Sequence, residues 1–133
     1  MAVQPTLQVE HGYFSTRDEA MRDMIETGYW PTTYVSHASP ELPLHWHQAD
    51  VMGYVVEGET YVLDERGDRQ PMRKGDRLTL PAGALHGEGE VTDQVIYLVA
   101  LKVPENFADA FRLYDPAAYP EPRLLELDPS LFR

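Results

Sequence analysis

The sequence contains no cysteine, which removes disulfide bonds, thiolate metal ligands and thiol nucleophiles together. Any metal site must therefore be built from histidine, aspartate and glutamate side chains. Basic residues are also scarce, with 11 Lys and Arg against 22 Asp and Glu, and the formal net charge is -11. That charge repels nucleic acid and anionic membrane surfaces, so we expect neither as a partner.

Long apolar runs are missing as well. No stretch approaches the roughly 18–20 apolar residues of a membrane span. The first five residues have neither a basic start nor an apolar stretch, so no secretory signal is predicted and the cytoplasm is the expected location. A length of 133 residues fits one domain with a single core, and we expect residues 1–133 to form one unit.

One amphipathic helix is predicted near the N-terminus. The pattern runs from residue 14 to residue 28, with the helix itself at about 15–27, Ser15 or Thr16 as the N-cap and Gly28 after the C-terminal end. Its apolar stripe, expected to face the core, consists of Ala20, Met21, Met24 and Ile25.

After residue 31 the hydrophobic period changes to two, which is typical of strands. Strands are predicted at 32–36, 44–47, 51–56, 60–64, 77–81, 86–91 and 94–101. Turns are predicted at 57–59, 65–68, 73–76 and 91–94. This spacing is typical of an all-β antiparallel sandwich or barrel, with a core over about residues 32–101.

The composition changes again beyond residue 101, where five of the 11 prolines lie. A short helix over 105–113 is predicted, with Phe107 and Phe111 on one face, inside an otherwise extended arm over 102–133. The arm keeps many large apolar side chains, which disordered tails normally lack. We therefore expect it to pack on its own barrel or on a second subunit.

Three histidines form the most informative pattern in the chain. His45 and His47 alternate along a predicted strand, so they project to the same side with Cα atoms about 6.5–7 Å apart. His86 lies on another predicted strand, and if the two strands are neighbours, the three imidazoles can surround one transition metal. Three protein ligands leave coordination sites open, as in a reactive metal centre.

The stretch 44–101 resembles the cupin superfamily in two motifs. The first is an HxH pair followed by a glycine turn, and the second is a Gly-x5-Pro-x-Gly-x2-His pattern on predicted strands. The matching residues are the three histidines and the glycines and proline that shape the turns: His45, His47, Gly58, Gly75, Pro81, Gly83 and His86.

The resemblance implies an antiparallel double-stranded β-helix, or jelly-roll barrel, here with a short N-terminal helix and a Pro-rich C-terminal arm. It also implies one divalent transition metal per chain, held by His45, His47 and His86 in the barrel mouth. Fe2+ is the first expectation, with Zn2+, Mn2+ or Ni2+ as alternatives. A small-molecule substrate and a homodimer are further expectations.

The sequence departs from the family pattern at the carboxylate ligand, whose place is taken by Val51. Gln48, just after the HxH pair, and Asp50, through a β-bulge, are the first substitutes we consider for metal contact. Alternation from His86 places Glu88 and Glu90 on the same inward face. Glu88, Glu90 and Asp50 are candidate catalytic acids or bases, and either glutamate is also a candidate ligand.

Three functions remain open from the sequence. The first is an Fe(II) dioxygenase, in which a three-His centre binds a small substrate beside dioxygen. The second is an isomerase, epimerase or lyase, in which Zn2+, Mn2+ or Ni2+ acts as a Lewis acid. The third is a non-catalytic module that binds a metal or a small ligand.

Overall fold

The computed structural model describes residues 4–103 and 107–132. The helices are α1, Arg17–Glu26, and α2, Phe107–Ala110. The strands are β1 Gln8–Glu10, β2 Trp30–Ser39, β3 Val51–Glu57, β4 Glu59–Leu63, β5 Arg69–Arg73, β6 Arg77–Leu80, β7 Gly87–Glu88 and β8 Val91–Leu101. Two 3-10 helices, Pro116–Ala118 and Pro129–Phe132, follow in the C-terminal segment.

The strands form two antiparallel sheets. One has five strands in the order β1-β6-β3-β8-β2, and the other has three in the order β5-β4-β7. Buried side chains from both sheets meet in one cluster, where Val55 and Val95 of the larger sheet pack with Val62 and Met72 of the smaller one. The predicted all-β antiparallel barrel class is therefore confirmed.

Helix α1 covers the outer face of the larger sheet. Thr16 caps its N-terminus by accepting a hydrogen bond from the Glu19 amide. Thr16 is one of the two residues predicted as the N-cap. Ala20 and Met24 are fully buried against the sheet. Ile25 is 68% exposed, so the predicted apolar stripe is narrower than expected and this residue faces away from the core.

Several local predictions differ from the structure. Residues 44–47 form only isolated bridges rather than a strand, and the predicted turn at 91–94 lies inside β8, which continues from Val91 to Leu101. The sequence interpretation also missed β1 and β5. Both are short strands that pairing with a neighbour in the same sheet, rather than any long apolar pattern, keeps extended.

The C-terminal segment contacts the barrel beside the HxH pair. Tyr114 is buried and bridges both Trp46 and Leu124. Helix α2 ends at Ala110, before the predicted end at residue 113, while residues 105 and 106 and the expectation for the Phe107 side chain lie outside what the structure describes. No helix in the described ranges is long and apolar enough to span a bilayer.

Candidate metal centre

Backbone pairing brings His45 and His86 side by side. Their amides and carbonyls exchange two hydrogen bonds, of 2.8 and 2.9 Å, in an isolated antiparallel bridge. The carbonyl of His47 accepts a third bond, of 2.8 Å, from the Gly83 amide. The second motif is thereby tied to the first at two points, and the three rings converge with centroids 4.5–5.0 Å apart.

The Nδ1 atom of each ring is bonded to a backbone carbonyl. His45 Nδ1 lies 2.7 Å from Pro43 O, His47 Nδ1 lies 2.8 Å from Arg112 O, and His86 Nδ1 lies 2.9 Å from Ala84 O. A carbonyl oxygen only accepts hydrogen bonds, so each Nδ1 carries the proton. In the neutral ring, Nε2 then presents a free lone pair, which is the atom a metal needs.

All three Nε2 atoms point towards the carboxylate of Glu88. Oε2 of Glu88 lies 2.9 Å from His45 Nε2, and Oε1 lies 3.8 Å from His47 Nε2 and 3.6 Å from His86 Nε2. The four ligand atoms are within 4.8 Å of one another. In the neutral His45 ring Nε2 carries no proton, so its 2.9 Å contact with Glu88 Oε2 is not a hydrogen bond, and the three Nε2 atoms and Oε2 are buried without one.

Buried polar atoms are nearly always satisfied, so four unsatisfied ones aimed at one point need an explanation. Three neutral imidazoles and one carboxylate form a donor set that suits a divalent transition metal. The residues present therefore fit such an ion, and His45, His47, His86 and Glu88 form a candidate metal site.

Two glycines allow the strand that carries Glu88 to approach its neighbours. A Cβ atom on Gly89 would lie 2.1 Å from Tyr61 O, and one on Gly87 would lie 2.8 Å from Leu42 O. Because the two backbones are this close, the Gly89 amide donates a 2.9 Å hydrogen bond to Tyr61 O. Close packing on both sides of Glu88 thus fixes the depth at which its carboxylate enters the site.

The pKa values of the cluster reflect burial and mutual charge. Burial raises the pKa of Glu88, but the three imidazoles outweigh it and hold the value well below the usual range. Burial lowers the pKa of His45, yet the neighbouring Glu88 carboxylate raises it above the ordinary histidine value. In His86 burial dominates and the pKa is lowered. Glu88 is therefore an anion at neutral pH.

The structure does not bring the other predicted oxygen donors to this point. Gln48 is exposed, and its Oε1 accepts a 3.2 Å hydrogen bond from the Tyr114 hydroxyl on the opposite side of the HxH segment. Asp50 accepts a 2.8 Å bond from the Ala82 amide, and Glu90 is exposed. The order considered from the sequence is thus reversed, because strand alternation from His86 places Glu88, and not Gln48 or Asp50, among the rings.

Trp46 faces away from the three histidines, as alternation predicts. Its ring packs against Tyr114 and Tyr119 with centroids 5.0 and 5.1 Å away, and its Nε1 donates a 3.2 Å bond to Asp115 O. The C-terminal segment therefore supports the back of the HxH pair, and through Arg112 O it also orients His47.

A cavity of about 400 Å³ leads to the cluster. His47, His86 and Glu88 lie in its wall, and most of the remaining lining is aliphatic or aromatic. The Glu88 side chain is 46% exposed, whereas its Oε2 atom is buried among the imidazoles. A small molecule in the cavity would therefore contact the candidate metal site directly.

The family model for the cupin domain matches residues 34–101, just over half of the chain. The chain belongs to the cupin domain family. This cupin also matches gentisate 1,2-dioxygenase from Streptomyces sp, with 38% identity over 63 residues. That match covers 47% of this chain and only 18% of the relative, so the cupin spans less than a fifth of that protein.

Solved structures share the fold. A DUF861 family protein from Thermotoga maritima is 22% identical, with a TM-score of 0.52 over 71% of this chain and 98% of that one. Ectoine synthase from P. lautus is 20% identical, with a TM-score of 0.52 over 63% of this chain and 60% of that one. A variant of salicylate 1,2-dioxygenase from Pseudoaminobacter salicylatoxidans is 28% identical, with a TM-score of 0.50 over 58% of this chain and 22% of that one.

Proposed function

We propose that this cupin binds one divalent transition metal per chain and acts as an Fe(II)-dependent dioxygenase on a small molecule. In this proposal the ligands are Nε2 of His45, His47 and His86 together with the Glu88 carboxylate. The observation that carries it is the set of four buried, unsatisfied donor atoms at one end of an open cavity. The similarity to gentisate and salicylate dioxygenases supports the oxygen chemistry.

Ferrous iron in this site would supply the binding and activation of dioxygen. The protein's own part is to hold the ligands and exclude water. The carbonyls of Pro43, Arg112 and Ala84 fix the protonation and direction of the three rings. The apolar cavity wall keeps bulk water away from a bound substrate.

Glu88 is the carboxylate we propose for proton transfer as well as for metal contact. Its Oε2 lies 2.9 Å from His45 Nε2 and its Oε1 lies 3.6 Å from His86 Nε2. The Glu88 side chain also lines the cavity where a substrate would lie. Asp50 is bonded to a backbone amide and Glu90 is exposed, so neither takes this role in the proposal.

The test is oxygen uptake after anaerobic reconstitution with Fe(II), measured with an electrode across thiols, diketones and catechols. We expect substrate-dependent uptake that is absent from the Zn2+-loaded protein and from the His86→Ala variant. Iron bound to the chain without uptake on any substrate would contradict the dioxygenase proposal. Turnover without oxygen consumption would instead favour an isomerase or lyase.

We also propose that two copies pair through β2. This ten-residue strand is an edge of the larger sheet, contains no Asp, Glu, Lys or Arg, and exposes Trp30 and Val35. In a chain with a net charge of -11, such an edge offers strand pairing with little repulsion. Light scattering should give the mass of a dimer for the parent protein. Val35→Lys should reduce this mass, whereas Ile25→Lys, a control on the exposed face of helix α1, should leave it unchanged. A monomeric parent protein would contradict the pairing.

A further inference from the structure

The cavity beside the candidate metal centre has an unusual charge distribution. Among the described residues that line it, Glu88 is the only Asp or Glu, and there is no Lys or Arg. Apart from Glu88, His47 and His86, the wall is formed mainly by aliphatic side chains, by small polar residues and by the rings of Tyr34, Tyr61, Tyr97 and Phe111. Among the described lining residues, an anionic group in this space would therefore find no Lys or Arg to pair with.

Two arginines adjoin residues of the cavity lining, Arg69 through the ring of Tyr61 and Arg112 through its neighbours in the chain, Phe111 and Leu113. Arg69 stacks on the ring of Tyr61 at 4.4 Å, but its side chain is 70% exposed and lies 4.0 Å from Glu41. Arg112 offers its backbone carbonyl to His47, while its guanidinium donates a 2.8 Å bond to Asp109 outside the cavity wall. Both positive charges thus already have acidic neighbours at the surface.

The aromatic walls favour a flat, uncharged ligand. Tyr34 and Tyr97 face the cavity with ring centroids 6.0 Å apart and a tilt of 32°. Burial raises the pKa of Tyr97 above the ordinary tyrosine value, so its phenol remains neutral and is available as a hydrogen-bond donor. Placing an unpaired carboxylate among such groups, in a chain of net charge -11, costs its hydration without supplying a counter-ion.

We propose that the ligand of this cavity is a small apolar molecule that carries no carboxylate, phosphate or sulfate beyond the oxygen atoms that bind the metal. This inference rests on the proposed metal centre for the position of those oxygens. A neutral ring with two adjacent oxygen donors has the required chemistry.

The experiment compares two ligands with the same metal-binding diol. Methyl 3,4-dihydroxybenzoate and 3,4-dihydroxybenzoate share the diol, and the group distant from it is a neutral methyl ester in the first and a carboxylate in the second. Calorimetric titration of both into Zn2+-loaded protein under nitrogen should show the ester binding about tenfold more tightly or better. Equal affinity, or tighter binding of the acid, would overturn the inference.

A variant with a new cation tests the cause of the discrimination. Ser36 lines the cavity on β2 and is partly exposed, so Ser36→Arg places a guanidinium there, and Ser36→Gln is the matched uncharged control. We expect Ser36→Arg to improve binding of the acid about tenfold relative to the ester, and Ser36→Gln to leave their ratio unchanged. The same ratio in both variants would contradict an electrostatic origin.

Protein without metal separates this inference from the proposed function. Methyl benzoate and benzoate lack the diol, and saturation-transfer NMR reports their binding to the cavity alone. Transfer to the ester but not to the acid would support the inference even if the chain failed to retain zinc, in which case the metal proposal alone would be wrong. Transfer to the acid in the metal-free protein, or to neither ligand in the metal-free and zinc-loaded forms, would overturn it.

Discussion

Glu88 Oε2 lies 2.9 Å from His45 Nε2. Glu88 thus places a carboxylate beside the three histidines, although Val51 occupies the position at which the family pattern has its carboxylate ligand. Val51 is buried in β3 and lines the cavity. The carboxylate comes instead from β7, two residues after His86. The donor set is therefore completed from the second motif rather than from the first.

The Glu88→Gln substitution tests the role of that carboxylate. It keeps the shape of the side chain but removes the negative charge, so we expect Zn2+ affinity to fall about tenfold or more. Competition with a chromophoric chelator measures this change. Glu90→Gln is the matched control, because Glu90 is exposed and outside the cluster, and its affinity should equal that of the parent. Unchanged affinity in Glu88→Gln would show that the carboxylate is not a ligand.

A substitution at Gly89 tests whether close packing positions Glu88. A Cβ atom there would lie 2.1 Å from Tyr61 O, so Gly89→Ala must displace β7 and should cost about 1–3 kcal/mol of unfolding free energy as well as metal affinity. Gly53→Ala is the control, since its Cβ would meet nothing closer than 3.8 Å. Urea denaturation and metal titration of both variants check this, and a Gly89→Ala protein with parental stability would argue against the packing role.

The convergence of the three histidines was predictable from local pattern, because alternation sets the faces of His45 and His47 and the Gly-Pro-Gly turn returns the chain to them. The choice of oxygen donor was not predictable in the same way. Gln48 and Asp50 are near the pair in sequence, but their actual partners, Tyr114 and the Ala82 amide, come from distant segments.

Two predictions of secondary structure were wrong for a related reason. Residues 44–47 have a strand-like pattern, yet only the bridges from His45 to His86 and from Trp46 to Tyr114 form, since different segments flank each residue. Residues 91–94 have turn-like composition, but pairing with β2 keeps them extended, with Val91 opposite Ser39 and Gln94 opposite His37. Tertiary pairing overrode the local preference in both cases.

The support of the HxH pair by the C-terminal segment gives a stability prediction. Tyr114 is 6% exposed and packs on Trp46, so Tyr114→Ala should cost about 3–5 kcal/mol. Tyr114→Phe loses only the 3.2 Å bond to exposed Gln48 and should cost about 0.5 kcal/mol or less. Chemical denaturation distinguishes the two. Similar stabilities for the two variants would mean that the ring contact contributes little.

The Asp64 carboxylate makes the free energy of unfolding depend on pH. Burial raises the pKa of Asp64, but hydrogen bonds from Gln70, from the Arg66 and Asp68 amides and from the Arg66 side chain lower it to about 2. A lowered folded-state pKa adds stability above the unfolded value of 3.8, and this stability is lost as the pH falls towards about 2.

The Asp64→Asn variant should therefore be less stable than the parent at pH 7, by about 1 kcal/mol or more. The difference should shrink between pH 5 and pH 2, where the parent carboxylate becomes protonated. Urea unfolding at several pH values measures both. A difference that stays constant over this range would contradict the assigned role of the Asp64 charge.

The metal content of protein purified without an affinity tag tests the central claim most directly. Mass-spectrometric elemental analysis should find about one divalent transition metal per chain, and the His45→Ala/His86→Ala variant should lose it while keeping its circular dichroism spectrum. Equal metal content in the two proteins, or none in the parent after equilibration with Fe2+ and Zn2+, would contradict a metal centre at these residues.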